Sequence, residues 1–374
     1  MIRVLANLSF VVPGVVGGSE EHSVGLIRAV QDHCPDRCAV TVAGSSELFG
    51  TYGHLAAGES KTLRGPAARR PYRIAAESIW LPAHSGDVDL THHFGGRLPV
   101  RARKPATVTI HDLQPLDHAE HFSWVKSRYL ARALPRTGQR ATMVLTPSQW
   151  VADRVGEQLG VPDDRIRVVG PAVTASTASA MSSWAGDAVA NRRLLVFPAI
   201  THPHKNHRVL IGAMAEIARQ CPEALLVLTG GVGAADRAVR EAMAAVDPDG
   251  SHIQHWGRIS SPQLRAVMSQ AELLVFPSRY EGFGIPVVEA MAHGTAVVAS
   301  ASTCLPEVVG NAGRLVTDDD VDAWADAILD LLNDSQERAR LAAAGLIRAE
   351  HWSPPVAAAR LVDAWESAIE GRDS

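Results

Sequence analysis

Tyr280-Glu281-Gly282-Phe283-Gly284-Ile285-Pro286-Val287-Val288-Glu289-Ala290-Met291-Ala292-His293-Gly294 reads as a tight loop that feeds directly into a helix. Gly282 and Gly284 let backbone come close to a ligand, and Pro286 suits the first helical position, where its missing N–H costs nothing and its φ is already set. Glu281 then stands on the loop and Glu289 about one turn into the helix. A helix start offers free N–H groups and the positive end of a dipole, so an anion such as a pyrophosphate can dock there. The two carboxylates flank that point, placed to accept hydrogen bonds from sugar hydroxyls. Spacing alone leaves a second account open, in which Glu281 caps a loop and Glu289 only complements the dipole.

Outward from this stretch the same pattern repeats. Leu273 to Phe276 before it and Ala296 to Ala299 after it read as buried strands, and Leu194 to Pro198 and Ala224 to Thr229 belong to the same series. Earlier in the chain the expected strands are Ile2 to Val12, Ala39 to Ala43, Val88 to His92, Thr107 to His111 and Met143 to Thr146. Ser19 is the expected cap of a helix running to about His33, and a further helix runs from about Ser148 to Leu159. Apolar runs that alternate with amphipathic stretches from end to end predict an α/β chain of two doubly wound parallel-sheet domains facing a cleft. The expected domains are 1–172 and 193–350. The Ala-, Ser-, Thr- and Gly-rich segment 173–192 is the linker between them, and 351–374 is a final helix beyond the break His351-Trp352-Ser353-Pro354-Pro355.

At 374 residues the chain suits two domains rather than one core. Hydrophobic content of 46%, charged content of 20% and a net charge of −4 exclude a disordered chain and give no global nucleic-acid footprint. The composition is that of a soluble protein. Runs such as Leu194 to Ala199 are far short of a membrane span, and the sequence starts directly with a strand, so export is not expected. Cys34, Cys38, Cys221 and Cys304 form no Cys-x-x-Cys pair, and reduced cytoplasmic thiols are the expectation. His202, His204 and His207, or His118 and His121, invite a metal reading. The helix-borne His-Glu-x-x-His pattern is absent, and no metal is expected.

Several strand ends carry candidate chemistry. Gly14-Val15-Val16-Gly17-Gly18-Ser19 follows the first strand and allows close approach of backbone to phosphate at Gly17 and Gly18. It does not fit Gly-x-Gly-x-x-Gly, and a plain turn is the competing account. His111, in Thr109-Ile110-His111-Asp112-Leu113, emerges at the carboxyl edge of a sheet, where such folds bind ligands, unless it is simply satisfied by Asp112. His92 and His93 are weaker candidates of the same kind. Lys205, in Pro203-His204-Lys205-Asn206, is the natural cation for a diphosphate, being a point charge with rotatable donors. Arg258, one loop further on, can supply a second positive charge or stand in solvent. Gly230-Gly231 is another strand-end turn. Arg132, Arg136 and Arg140 are spaced by four but interrupted by Pro135. With Lys126 and Arg128 they read as a solvated face, attraction of an anionic acceptor or of membrane headgroups being the other account.

The stretch from Tyr280 to Gly294, together with Lys205 and His111-Asp112-Leu113, resembles the family-4 retaining glycosyltransferases. That resemblance implies the GT-B arrangement of two Rossmann-like domains, with the final helix crossing back onto the first. It also implies a donor that is a GDP- or UDP-linked sugar, held without a cofactor or metal. Carried over by residue, Glu289 would bind the nucleotide ribose and Glu281 a hydroxyl of the donor sugar. The backbone of Gly282, Phe283, Gly284 and Ile285 would meet the diphosphate or sugar, with Lys205 neutralising the leaving group. The Gly17-Gly18 loop would face the donor, and His111 would contact the transferred sugar. Many relatives place an arginine where this chain has His204 or Ile200, which leaves the second phosphate cation to Arg258. The implied activity is retaining transfer of a hexose, mannose first, to a glycan or lipid-linked glycan in a bacterial cytoplasm. A nucleotide-sugar epimerase and a catalytically silent sugar-binding homologue share the architecture and remain as alternatives.

Overall fold

Short apolar runs buried on both faces build two wholly parallel sheets, the arrangement that needs helices on either side. The computed structural model describes residues 1–371 apart from 57, 66–68, 103–104, 175–188, 190 and 318. Most of the expected linker 173–192 therefore lies outside the described residues. The chain divides into two units, Met1–Ala172 with Trp352–Ser374, and Val173–His351.

The first unit holds β1 (Ile2–Asn7), β2 (Cys38–Ser45), β3 (Ser60–Leu63), β4 (Leu90–His93), β5 (Ala106–Thr109), β6 (Met143–Thr146) and β7 (Ile166–Val168), in the order β3-β2-β1-β4-β5-β6-β7. The second holds β8 (Arg193–Pro198), β9 (Ala224–Thr229), β10 (Ile253–Gly257), β11 (Leu273–Phe276), β12 (Ala296–Ser300) and β13 (Arg314–Val316), in the order β10-β9-β8-β11-β12-β13. The strand order of each sheet reverses once, between β1 and β4 and between β8 and β11. Those are the points where parallel sheets open a crevice at their carboxyl ends.

Four helices position the residues of interest: α1 (Gly18–His33), α2 (Trp124–Arg140), α3 (Ile285–Ala292) and α4 (Pro354–Glu370). The stripe Ala357, Ala358, Leu361, Val362, Trp365 and Ala368 of α4 is buried with Val4, Leu26, Ile27 and Val30 of the first unit. Arg37 clasps the same helix at Asp363 (2.7 Å) and Glu366 (2.6 Å).

Several local expectations change. The first strand stops at Asn7 rather than Val12, because the chain turns there and Val11 N–H donates to the Leu8 carbonyl at 3.0 Å. Gly17, with φ 78°, caps α1 in place of Ser19, which lies inside the helix. Pro286 is the second residue of α3, still within the first turn where no N–H is required. Pro135 does not interrupt α2. The helix runs through it from Trp124 to Arg140.

Candidate functional site

In the second unit, β8 and β11 send their following loops to the same carboxyl-end crevice. The loop after β8 ends in a short turn, Pro203–Lys205, and Asn206 takes a left-handed φ of 56° to start the next helix. The loop after β11 is tied to it where the Arg279 N–H donates to the His204 carbonyl at 2.8 Å. These ties bring Lys205 Nζ to 2.5 Å from Glu281 Oε1, with the two side chains only 19% and 12% exposed. Lys205 also lies 5.8 Å from the centre of the Phe276 ring. A half-desolvated ion pair of this kind is held as a unit, since removing one member leaves the other charge uncompensated.

The loop after β12 fixes the backbone of Glu281 from both sides. Thr303, at a left-handed φ of 53°, accepts from the Glu281 N–H at 3.2 Å, and the Cys304 thiol donates to the Glu281 carbonyl at 3.3 Å. Burial pushes the Cys304 thiol well above its ordinary pKa, reinforced by the charge of Glu281, so it stays protonated and able to donate. Nothing in the sequence near Thr303 or Cys304 signals a partner 22 and 23 residues away.

Gly284 caps α3 at φ 88°, and a Cβ there would come within 2.8 Å of Leu305 Cδ2. Its glycine is therefore demanded by backbone conformation and by Leu305 together. Phe283 is buried at 6% exposure, while Gly282, Ile285 and Glu289 are half-buried. The start of α3 thus stands beside the Lys205–Glu281 pair, with Glu289 one turn further along. Arg258 is exposed just past β10, and β9 separates that edge strand from β8. Two strand spacings, about 10 Å, lie between its strand and that of Lys205. The close approach at Gly230, φ 135°, is to the backbone of Ala199 and Ile200.

In the first unit the glycine-rich loop after β1 is closed by its own chain. The Glu20 carboxylate, 3% exposed, accepts the Gly14 N–H at 3.0 and 3.1 Å and the Tyr52 hydroxyl at 2.6 Å. Gly17 and Gly18 sit at the start of α1, above this clamp. His111 lies just past β5, half-buried, with Nε2 donating to the Phe94 carbonyl at 2.8 Å. Its Nδ1, 3.1 Å from His22 Nδ1, must then accept, so His22 carries its proton on Nδ1. Burial lowers His111 to about 4, and burial and then His111 lower His22 to about 3, so both rings are neutral near pH 7. Asp112 is not the ring's partner in this arrangement.

His92 is fully buried between Thr107 (2.7 Å) and Thr109 (3.0 Å), which makes it a satisfied core histidine rather than a ligand contact. His93 is 3.2 Å from Asn7 Nδ2, and a buried Glu77–Arg97 pair lies beyond Ser9, which is 2.8 Å from Glu77. Of the proposed metal groups, His207 is buried against Phe197, and His118 faces Glu120 at 3.1 Å. Among the described residues no three His, Cys, Asp or Glu side chains form a ligand set.

The family described as Glycosyl transferases group 1 matches residues 183–347, and Glycosyltransferase Family 4 matches residues 16–177. The O-antigen chain mannosyltransferase B of Escherichia coli is 30% identical over 265 residues, 68% of each chain. The chain belongs to the group 1, family 4 glycosyltransferases. This glycosyltransferase is also 27% identical over 314 residues to the O-antigen chain mannosyltransferase RfbU of Salmonella typhimurium, covering 81% of its own length and 82% of the relative's. Its fold is GT-B. Anabaena HepE in complex with UDP-glucose superposes at a TM-score of 0.79 and 20% identity, over 98% of this chain and 100% of that one. Among the described residues of the glycosyltransferase no helix is long and apolar enough to cross a membrane.

Proposed function

We propose that the enzyme transfers mannose from a GDP- or UDP-linked donor to a hydroxyl of a glycan or lipid-linked glycan, with retention, without a metal and in the cytoplasm. The Lys205–Glu281 pair at the carboxyl-end crevice between β8 and β11, beside the amino terminus of α3, carries this reading. A donor diphosphate would draw Lys205 to itself and add the helix start as a second source of positive potential. Glu281 would then be freed to accept from a hydroxyl of the sugar, and Glu289 would accept from the ribose. Arg258 would reach the diphosphate only along its extended side chain, which makes it an auxiliary cation. Gly17 and Gly18 would border the donor, and His111 would meet the sugar by exchanging one of its two ring partners. The names of the O-antigen relatives support mannose as the first sugar to test.

Both glutamates are committed to binding in this reading, so neither serves as a nucleophile. The acceptor oxygen would bond to the anomeric carbon on the face that the phosphate leaves, and the acceptor proton would pass to the departing phosphate oxygen.

The test is a panel of GDP- and UDP-hexoses with purified enzyme and lipid-linked glycan acceptors, with and without EDTA. Mannosyl transfer with the donor's anomeric configuration preserved, unchanged in chelator, is expected. Epimerised donor without transfer, or binding without turnover, would overturn the transferase mechanism for this chain. Activity lost in EDTA and restored by Mg²⁺ or Mn²⁺ would overturn metal independence.

A further inference from the structure

The helix α2 carries a surface that the donor chemistry does not use. From His121 to Ala152 the sequence contains no Asp or Glu, while Lys126, Arg128, Arg132, Arg136 and Arg140 all fall in α2, in a protein whose net charge is −4. The helix is about 25 Å long at 1.5 Å per residue. Leu134, Thr137 and Gly138 turn inward. The opposite face exposes Trp124 at 72%, Val125 at 69% and Tyr129 at 38%, together with Arg128, Arg132 and Arg136. These six residues line a shallow groove of about 330 Å³.

The cations of this face are not used internally. Among the described residues Arg128, Arg132 and Arg136 form no ion pair, and Arg128 instead lies 5.4 Å from the Trp124 ring. Arg140 differs, since its guanidinium is turned to the Pro99 and Val100 carbonyls at 3.1 and 2.8 Å. Because Pro135 leaves α2 continuous, the exposed apolar side chains at its amino end and the row of arginines along it belong to one rod. Indole, phenol and an aliphatic side chain beside unpaired guanidinium groups match the interface of an anionic bilayer, where rings settle at headgroup depth and cations meet lipid phosphates. A second copy of this chain does not fit, because two-fold pairing through the face would set the arginine rows against each other.

We propose that α2 docks the enzyme on an anionic phospholipid surface, with Trp124 and Val125 inserted among the headgroups and Arg128, Arg132 and Arg136 on their phosphates. This goes beyond the donor reading and does not depend on it, because the test reads membrane partition rather than transfer.

The experiment is co-sedimentation of the full chain with vesicles of phosphatidylcholine alone, or of phosphatidylcholine mixed with phosphatidylglycerol. Binding to the mixed vesicles that weakens as salt rises is expected. The triple variant R128E/R132E/R136E should partition at least roughly a hundredfold less, at about 1 kcal/mol per cation. Trp124→Ser should partition about tenfold less and lose any blue shift of its fluorescence. Both variants should keep the circular dichroism spectrum and the urea midpoint of the wild type, which shows that they are folded. The proposal is overturned by equal partition to the two vesicle types, by no partition at low salt, or by folded variants that partition like the wild type. Displacement by inorganic phosphate at equal ionic strength, or tighter binding to a single-stranded oligonucleotide than to the mixed vesicles, would overturn it as well.

Discussion

The loop after β1 and the loop after β11 have the same plan, a parallel strand leading through glycines to a helix start, yet they end in opposite states. In the first unit the carboxylate that follows the glycines, Glu20, is turned back onto Gly14 and Tyr52 and is almost wholly buried. In the second, Glu281 faces a cation on the neighbouring loop, with both side chains still partly open to solvent. Glycine at a strand end therefore does not by itself mark a phosphate site. What distinguishes the two is whether the chain supplies its own acceptor for the loop or leaves a charge that a ligand can exchange.

The difference is tested most severely by Lys205→Ala. Loss of a charge-stabilising group and an orphaned Glu281 should lower kcat/KM roughly a hundred- to thousandfold. Steady-state kinetics that stay within tenfold of the wild type would place the diphosphate elsewhere.

The first unit's counterpart is uncharged, and acid should reveal it. His22 and His111 stay neutral down to about 3 and 4, whereas in the unfolded chain they take up protons near 6.5. The unfolded state then binds more protons, so stability is full above 6.5 and falls as pH drops toward 4, by about 1.4 kcal/mol per histidine per pH unit. Urea midpoints across this range should show the decline, and a flat profile would mean that the two rings are not buried neutral.

Glu289→Ala should weaken nucleoside diphosphate binding by about 1–3 kcal/mol, the loss expected when a buried hydroxyl loses its acceptor. Calorimetry that finds wild-type affinity would remove Glu289 from the ribose. The smallest effect belongs to the closed loop. Glu20→Gln keeps an oxygen for Gly14 but weakens the charged clamp, costing about 1 kcal/mol in chemical denaturation. Nucleoside diphosphate affinity should be untouched, and a fall in it would mean that the clamp at Gly14 also sets how Gly17 and Gly18 meet the donor.

Both halves of this comparison were unequally legible. Apolar runs predict β1, β2, β4, β5 and β6 in one sheet and β8, β9, β11 and β12 in the other, all of them interior strands. None of the edge strands β3, β7, β10 and β13 is expected from the sequence. An interior strand of a parallel sheet is covered on both faces and between two neighbours, so it is buried along its length and mostly apolar, and the polar side chains it does hold, such as Thr91, His92 and His93 of β4, are buried with it. An edge strand lacks one neighbour, and the partly exposed Gln254, His255 and Trp256 of β10 carry no such signature.

The candidate site divides in the same way. Gly282, Gly284, Pro286, Glu281 and Glu289 could be read locally because a loop entering a helix imposes φ values, a free amino end and a spacing on consecutive residues. The pairing of Lys205 with Glu281 spans 76 positions and exists only because strand order sets β8 beside β11. The same holds for Glu20 against Tyr52, for His22 against His111, and for Thr303 and Cys304 against the Glu281 backbone. By itself the sequence determined an α/β chain of parallel sheets with a glycine-rich loop that enters a helix start between two carboxylates. Only the tertiary structure decided which charges meet, which glycine loop is already closed, and that α2 runs unbroken through Pro135. Burial and backbone geometry act on neighbouring residues and leave a local imprint, whereas the partner of a polar group is chosen by topology.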